Sequence, residues 1–172
     1  RFHEVDFDDY APGVRPPASQ RFTASRSTFN WQGGPPPVVA PPIRAPAGSR
    51  PVFIHMAQRP AGPIAVASFD ARAAVCEIYA YWGPAQPDNV FVVEAFDGLR
   101  IVAAAQAPMG AASPPVIRIR VPKGMTSLLI RKLGRVDVKE GDVELVRVRY
   151  RTMREELVDA LNEYFSAMTD IV

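Results

Sequence analysis

The sequence predicts an all-β fold, an antiparallel β-sandwich of jelly-roll type closed by one C-terminal amphipathic α-helix. Three observations predict it. From residue 51 onward short apolar segments recur with turn signals between them and no intervening helical stretch, which favours a sandwich or barrel over a parallel sheet of βαβ units. Within those segments polar and apolar residues alternate with the period of a strand that has one core face and one wet face. Proline supplies 18 of the 172 residues, roughly double the usual ~5%, and proline interrupts helices and central strands.

Taking the chain in order, HEVDFD at residues 3–8 alternates and reads as a short strand running into the turn material YAPG. Arg21 to Trp31 is polar with Phe22, Phe29 and Trp31 spaced through it, and reads as one or two edge strands. Residues 33–51 carry prolines at 35, 36, 37, 41, 42, 46 and 51 and read as a long surface loop of polyproline II character. Strands are then expected at PVFIHM, PIAVASF, AAVCEIYAY, NVFVVEAF, RIVAAAQ, PVIRIRV, TSLLIRKL and VELVRVRYR. The turn signals between them include Gly62-Pro63, Gly83-Pro84, Asp97-Gly98, Pro114-Pro115, Lys123-Gly124 and Gly141-Asp142.

Parity assigns the faces. Ile117, Ile119 and Val121 oppose Arg118 and Arg120; Val146, Val148 and Tyr150 oppose Arg147, Arg149 and Arg151; Cys76, Ile78 and Ala80 oppose Glu77, Tyr79 and Tyr81. The last element changes period. Thr152 followed by Glu155 forms a capping box, and Leu157, Leu161, Tyr164, Phe165 and Met168 then recur at helical spacing. The expected organisation is a sandwich over 1–151 and a helix over 152–172. A chain of this length can bury a core without disulfides or metals. It begins at Arg1 rather than Met, as expected of a processed or trimmed piece of a longer protein.

Three groups of residues could carry function. Asp6, Asp8 and Asp9 could supply part of the oxygen shell of a calcium ion; the simpler account is a solvated strand end with an aspartate capping the turn. Arg118, Arg120, Arg147, Arg149 and Arg151 line one sheet face. That face could bind an anionic surface, or be an ordinary wet face paired with Glu94 or Glu144, or receive the acidic side of the C-terminal helix. Tyr79, Tyr81 and Trp82 could stack on sugar rings, or cover the sheet and plug the end of the core.

Composition narrows the classes. The formal net charge of +2 creates no global field, and the arginines accompany no nucleic-acid-binding motif. No apolar run is long enough to span a bilayer. The single cysteine, Cys76, excludes an intrachain disulfide, and the two histidines, His3 and His55, stand apart from one another. No nucleophile elbow, Walker loop or dinucleotide fingerprint occurs, so an enzyme is not expected.

VDFDDYAPG near the start, VFVVEAFDGLRIVAAA and GDVELVRVRYR together resemble bacterial extracellular β-sandwich modules related to galactose-binding-like jelly rolls, over roughly residues 3–150. The resemblance implies a secreted or cell-surface module that binds glycans or envelope components, with calcium near Asp8 and Asp9. The chain departs from that pattern in lacking a second acidic pair in its final strand, where Val143 separates Asp142 from Glu144. The proline-rich segment and the terminal helix also lie outside it.

Two roles follow. One is a non-catalytic module recognising carbohydrate through Tyr79, Tyr81 and Trp82, with Arg118 and Arg120 nearby. The other is a structural part of a homo-oligomer or larger assembly, joined through the proline-rich loop and a helix interface of Leu157, Leu161, Tyr164, Phe165 and Met168, since an apolar helical stripe needs a surface to bury it.

Overall fold

The computed structural model describes residues 1–5, 13–15, 17–32, 38–40, 52–56, 62–82, 90–108, 116–133 and 142–170. Among them the chain forms ten strands: β1 (His3–Val5), β2 (Ser19–Phe22), β3 (Ser27–Trp31), β4 (Val38–Ala40), β5 (Val52–Met56), β6 (Gly62–Trp82), β7 (Val90–Asp97), β8 (Arg100–Pro108), β9 (Val116–Leu133) and β10 (Asp142–Thr152). One helix, α1 (Met153–Thr169), follows directly. The mostly antiparallel sheet with a C-terminal helix is the fold class that the alternation predicts.

Two strands are longer than the turn signals imply. PIAVASF and AAVCEIYAY belong to one strand, β6, and PVIRIRV and TSLLIRKL to another, β9. These strands run side by side and break register together, in two steps, between Ser68 and Val75 on β6 and between Ser127 and Arg120 on β9. Gly124 sits in this break with φ +81, so Lys123-Gly124 marks an irregularity within a strand rather than a chain reversal. A glycine is required there for a second reason. A Cβ at residue 124 would lie 2.5 Å from Met153 Sδ and 2.9 Å from Arg72 Cβ, because the start of α1 packs onto the break.

The break divides the sheet into two halves that share β6 and β9. The first half of β6 pairs with β3 and the second with β10, while β7 pairs with the C-terminal half of β9 and carries β8 beyond it. On the far side of β10, β5 pairs with residues 142–145 and β1 with residues 148–150. The sandwich is therefore one bent sheet. Its core cluster draws Phe29, Ile64, Phe91, Leu128 and Ile130 from one half and Ile78, Ile117, Leu145, Val148 and Tyr150 from the other.

The face assignments hold on two strands: Ile117, Ile119 and Val121 are buried while Arg118 and Arg120 are exposed, and Cys76, Ile78 and Ala80 are buried. On β10, Val148 and Tyr150 are buried as expected, but a bulge between Leu145 and Arg147 puts Leu145 in the core in place of Val146, which is half-buried. Asp97-Gly98 turns the β7–β8 hairpin, with Gly98 at φ +61 in the first central position of a two-residue loop. A further expectation is corrected. Within the proline-rich segment 33–51, Val38–Ala40 is a strand paired to β5 and not loop, since the β-branched Val38-Val39 pair suits a ladder even between prolines. The rest of that segment lies outside the described residues, as do Asp6, Asp8 and Asp9.

Tyr150 ties the β2–β3 hairpin to the core. Its hydroxyl donates to the Ser25 carbonyl and lies 3.3 Å from the Arg26 carbonyl. Arg26 adopts φ 54, a left-handed conformation that closes the loop between Phe22 and Ser27. Burial pushes the Tyr150 hydroxyl up to about 12, so it stays a donor at neutral pH.

Candidate functional site

The register of β9, β6 and β10 sets Glu77 directly between Arg118 on one side and Arg149 on the other. Cross-strand neighbours at such spacing meet, and here the charges are opposite. Arg149 Nε donates to Glu77 Oε2 at 2.5 Å, Arg118 Nε lies 3.2 Å from Oε1, and the Tyr79 hydroxyl donates to Oε2 at 3.0 Å. Glu77 is only 6% exposed although its parity puts it on the outer face. Burial pushes its carboxyl upward, but the Arg149 and Tyr79 hydrogen bonds, with the charges of Arg149 and Arg118, outweigh this and hold it below the usual carboxylate range.

The other arginines of this face are likewise engaged internally. Arg147 lies 3.7 Å from Glu4 and places its guanidinium 4.0 Å over the Tyr79 ring, while Arg149 stacks over Phe2 at 4.5 Å. Glu94 pairs with Arg131, at 2.7 Å, rather than with this ladder.

Where β10 ends, α1 begins without a loop. Thr152 has extended backbone angles (φ −75, ψ 161) and caps the helix: its Oγ1 accepts from Glu155 N at 3.3 Å, and its own N–H donates to Glu155 Oε2 at 2.7 Å. The other Glu155 oxygen lies 2.6 Å from His3 Nε2, and the His3 ring stacks on Tyr150 at 4.9 Å. Strand β1 thus clamps the first turn. Burial raises the Glu155 carboxyl, but the Thr152 backbone and hydroxyl and the His3 ring hold it below its ordinary range.

The next acidic side chains meet the arginine face. Arg120 NH2 donates to Glu156 Oε2 at 2.9 Å, Arg151 Nε lies 3.2 Å from Glu156 Oε1, and Arg151 also pairs with Asp159. Of the three accounts of the arginine ladder, the internal one describes Arg120 and Arg151, and pairing within the sheet describes Arg118 and Arg149.

This docking reverses the usual orientation of a surface helix. Glu155, Glu156 and Asp159 occupy the side that faces the sandwich, and at ~100° per residue the apolar stripe then points away from it. Leu157, Leu161, Tyr164, Phe165 and Met168 are 45–60% exposed, Val158 is 46% exposed, and no residue of α1 is buried. The structure brings these predicted interface residues together as one exposed stripe.

Of the predicted aromatic group, only the Tyr79 side chain lies among the described residues. Tyr79 is half-buried, with its hydroxyl on Glu77 and a ring face under Arg147; Tyr81 and Trp82 lie in β6 opposite Glu144 and Val143 of β10, and their side chains lie outside what the structure describes. Cys76 is fully buried, which pushes its thiol up and leaves it inert. Among the described residues no group of three His, Cys, Asp or Glu side chains gathers as metal ligands, and no helix is long and apolar enough to cross a membrane.

Sequence reading missed Glu77 as the hub of the arginine face and His3 as the helix clamp. A lone carboxylate inside an apolar strand was the available signal for the first; the second depends on pairing between the two ends of the chain. No model of a known protein family matches this chain, and no curated protein matches it in sequence.

Proposed function

We propose that this protein is a non-catalytic assembly module, with the bent sandwich as its body and α1 as the element that joins it to a neighbour. The observation that carries this reading is the orientation of α1: acidic face on the sandwich, apolar stripe to solvent.

Magnitudes favour a covering partner. Arg120 is two-thirds exposed, and ion pairs of that kind contribute about 0–1 kcal/mol each. Burying a large apolar side chain contributes roughly 1.5–3 kcal/mol, so the half-dozen side chains of the stripe forgo on the order of 10 kcal/mol while they face water. A helix of 17 residues held only over its first two turns is also marginal by itself. Covering the stripe stabilises the helix and joins the modules in one step.

Carbohydrate recognition at Tyr79, Tyr81 and Trp82, and calcium at Asp6, Asp8 and Asp9, rest on side chains of which only that of Tyr79 lies among the described residues. The assembly reading is tested by light scattering on the full chain and on a chain ending at Thr152. The full chain should exceed the monomer mass, and the shortened chain should be a monomer with the same β-sheet circular dichroism. Equal masses for the two chains overturn the reading.

A further inference from the structure

We infer that the surface covering the stripe is the same helix of a second copy, paired in parallel about a two-fold axis; this rests on the assembly reading above. Leu157, Leu161, Tyr164 and Met168 are spaced by four, three and four residues, the d, a, d, a positions of a heptad. They are exposed side chains on a single face of α1.

The residues flanking that seam identify the partner. In a paired helix the e and g positions lie beside the seam and face the other helix. Here e is Val158 and Phe165, and g is Met153, Ala160 and Ala167, the first of these packed on the sandwich. The carboxylates of Glu155, Glu156, Asp159 and Glu163 all fall at b, c and f, away from the seam. Two copies of this acidic helix can therefore meet without opposing their carboxylates along the seam; Arg154, at the first a position, is the one charge on it. A helix built for a basic partner would instead carry its acids at e and g, where charged pairs select partners.

Shape sets the direction. In a parallel pair the g position of one helix faces the following e position of the other, which places Phe165 of each copy over Ala160 of its mate. Large side chains then meet small ones on both flanks. The sandwich holds α1 through Met153, Glu155, Glu156 and Asp159, all in its first two turns, and the three acids lie on the outer side, so two copies would carry their bodies on opposite flanks of the paired helices. The exposed Arg154 marks the sandwich end of the seam. Six side chains losing about 100 Å² each bury roughly 1,200 Å² over the pair, just above the ~1,000 Å² that a specific interface needs.

The test uses the full chain carrying either Leu157→Cys or Met168→Cys, both at exposed positions, treated with a short bis-maleimide. The native Cys76 is fully buried, so the unchanged chain is the blank. Each variant should cross-link to itself in high yield, an equal mixture should give no bond between residues 157 and 168, and adding Leu161→Glu should abolish both products. Cross-links found only between residues 157 and 168 would overturn the parallel pairing. Absence of cross-links in a chain that still exceeds the monomer mass would overturn the helix-to-helix contact. Both outcomes leave the assembly reading in place. A monomer with no cross-link overturns the two together.

Discussion

Replacing Glu77 with glutamine isolates the hub of the arginine face. The substitution keeps shape and one neutral hydrogen bond and removes only the charge. A charge-assisted hydrogen bond contributes about 1.5–3 kcal/mol against about 1 for a neutral one. The Arg118 pair adds little, since that arginine is mostly exposed. The expected loss near neutral pH is therefore about 2 kcal/mol, or roughly 4–8 °C in melting temperature for a chain of this size. The sign of the pH dependence follows from the direction of the shift. Glu77 is held below its ordinary range when folded, so its contribution is complete above the unfolded carboxylate value and is lost as pH falls through the lower folded value. Urea unfolding followed by tryptophan fluorescence, on dilute protein near pH 7 and at about pH 3, reads both effects. The wild-type advantage over Glu77→Gln should be largest near pH 7 and shrink in acid. A variant as stable as the wild type near pH 7, or a deficit that persists unchanged in acid, would refute the assignment.

Three further substitutions test the surrounding structure. Tyr150→Phe removes the hydroxyl that donates to the Ser25 carbonyl, and should lower unfolding free energy by about 1–2 kcal/mol in a denaturant melt. Gly124→Ala meets both a positive φ and the neighbouring Met153 and Arg72 side chains, and should cost about 2–3 kcal/mol. Adding Met153→Ala should relieve only the part due to contact with that side chain. Thr152→Ala deletes the helix cap at a cost of about 1 kcal/mol, read as reduced ellipticity at 222 nm and faster amide exchange across the first turn of α1, with the sheet unchanged.

Much of the fold was legible because parity is local. Ile117 against Arg118 and Ile78 against Glu77 reveal which face is buried without knowledge of any partner strand. The two long strands were not legible. Lys123-Gly124 has the same composition whether the chain reverses or only bends, and the difference depends on β6 and β9 breaking register together. Glu77 was hidden for a related reason: it belongs to the outer face by parity, and only the pairing of three distant segments sets Arg118 and Arg149 on either side of it. In α1 the cap and the stripe were plain from Thr152, Glu155 and the spacing of Leu157, Leu161 and Tyr164. The direction in which the stripe points was not, because it follows from Arg120 and Arg151 drawing Glu156 and Asp159 toward the sheet.

Sedimentation equilibrium of the full chain beside Leu161→Glu tests the central claim most directly, that α1 is the contact through which copies assemble. The wild type should rise with concentration from 18.8 kDa toward twice that mass, while Leu161→Glu stays at the monomer mass with an unchanged sandwich. If both chains remain monomers up to about 1 mM, where even a weak interface would be occupied, or if the variant assembles as well as the wild type, the stripe is not the contact.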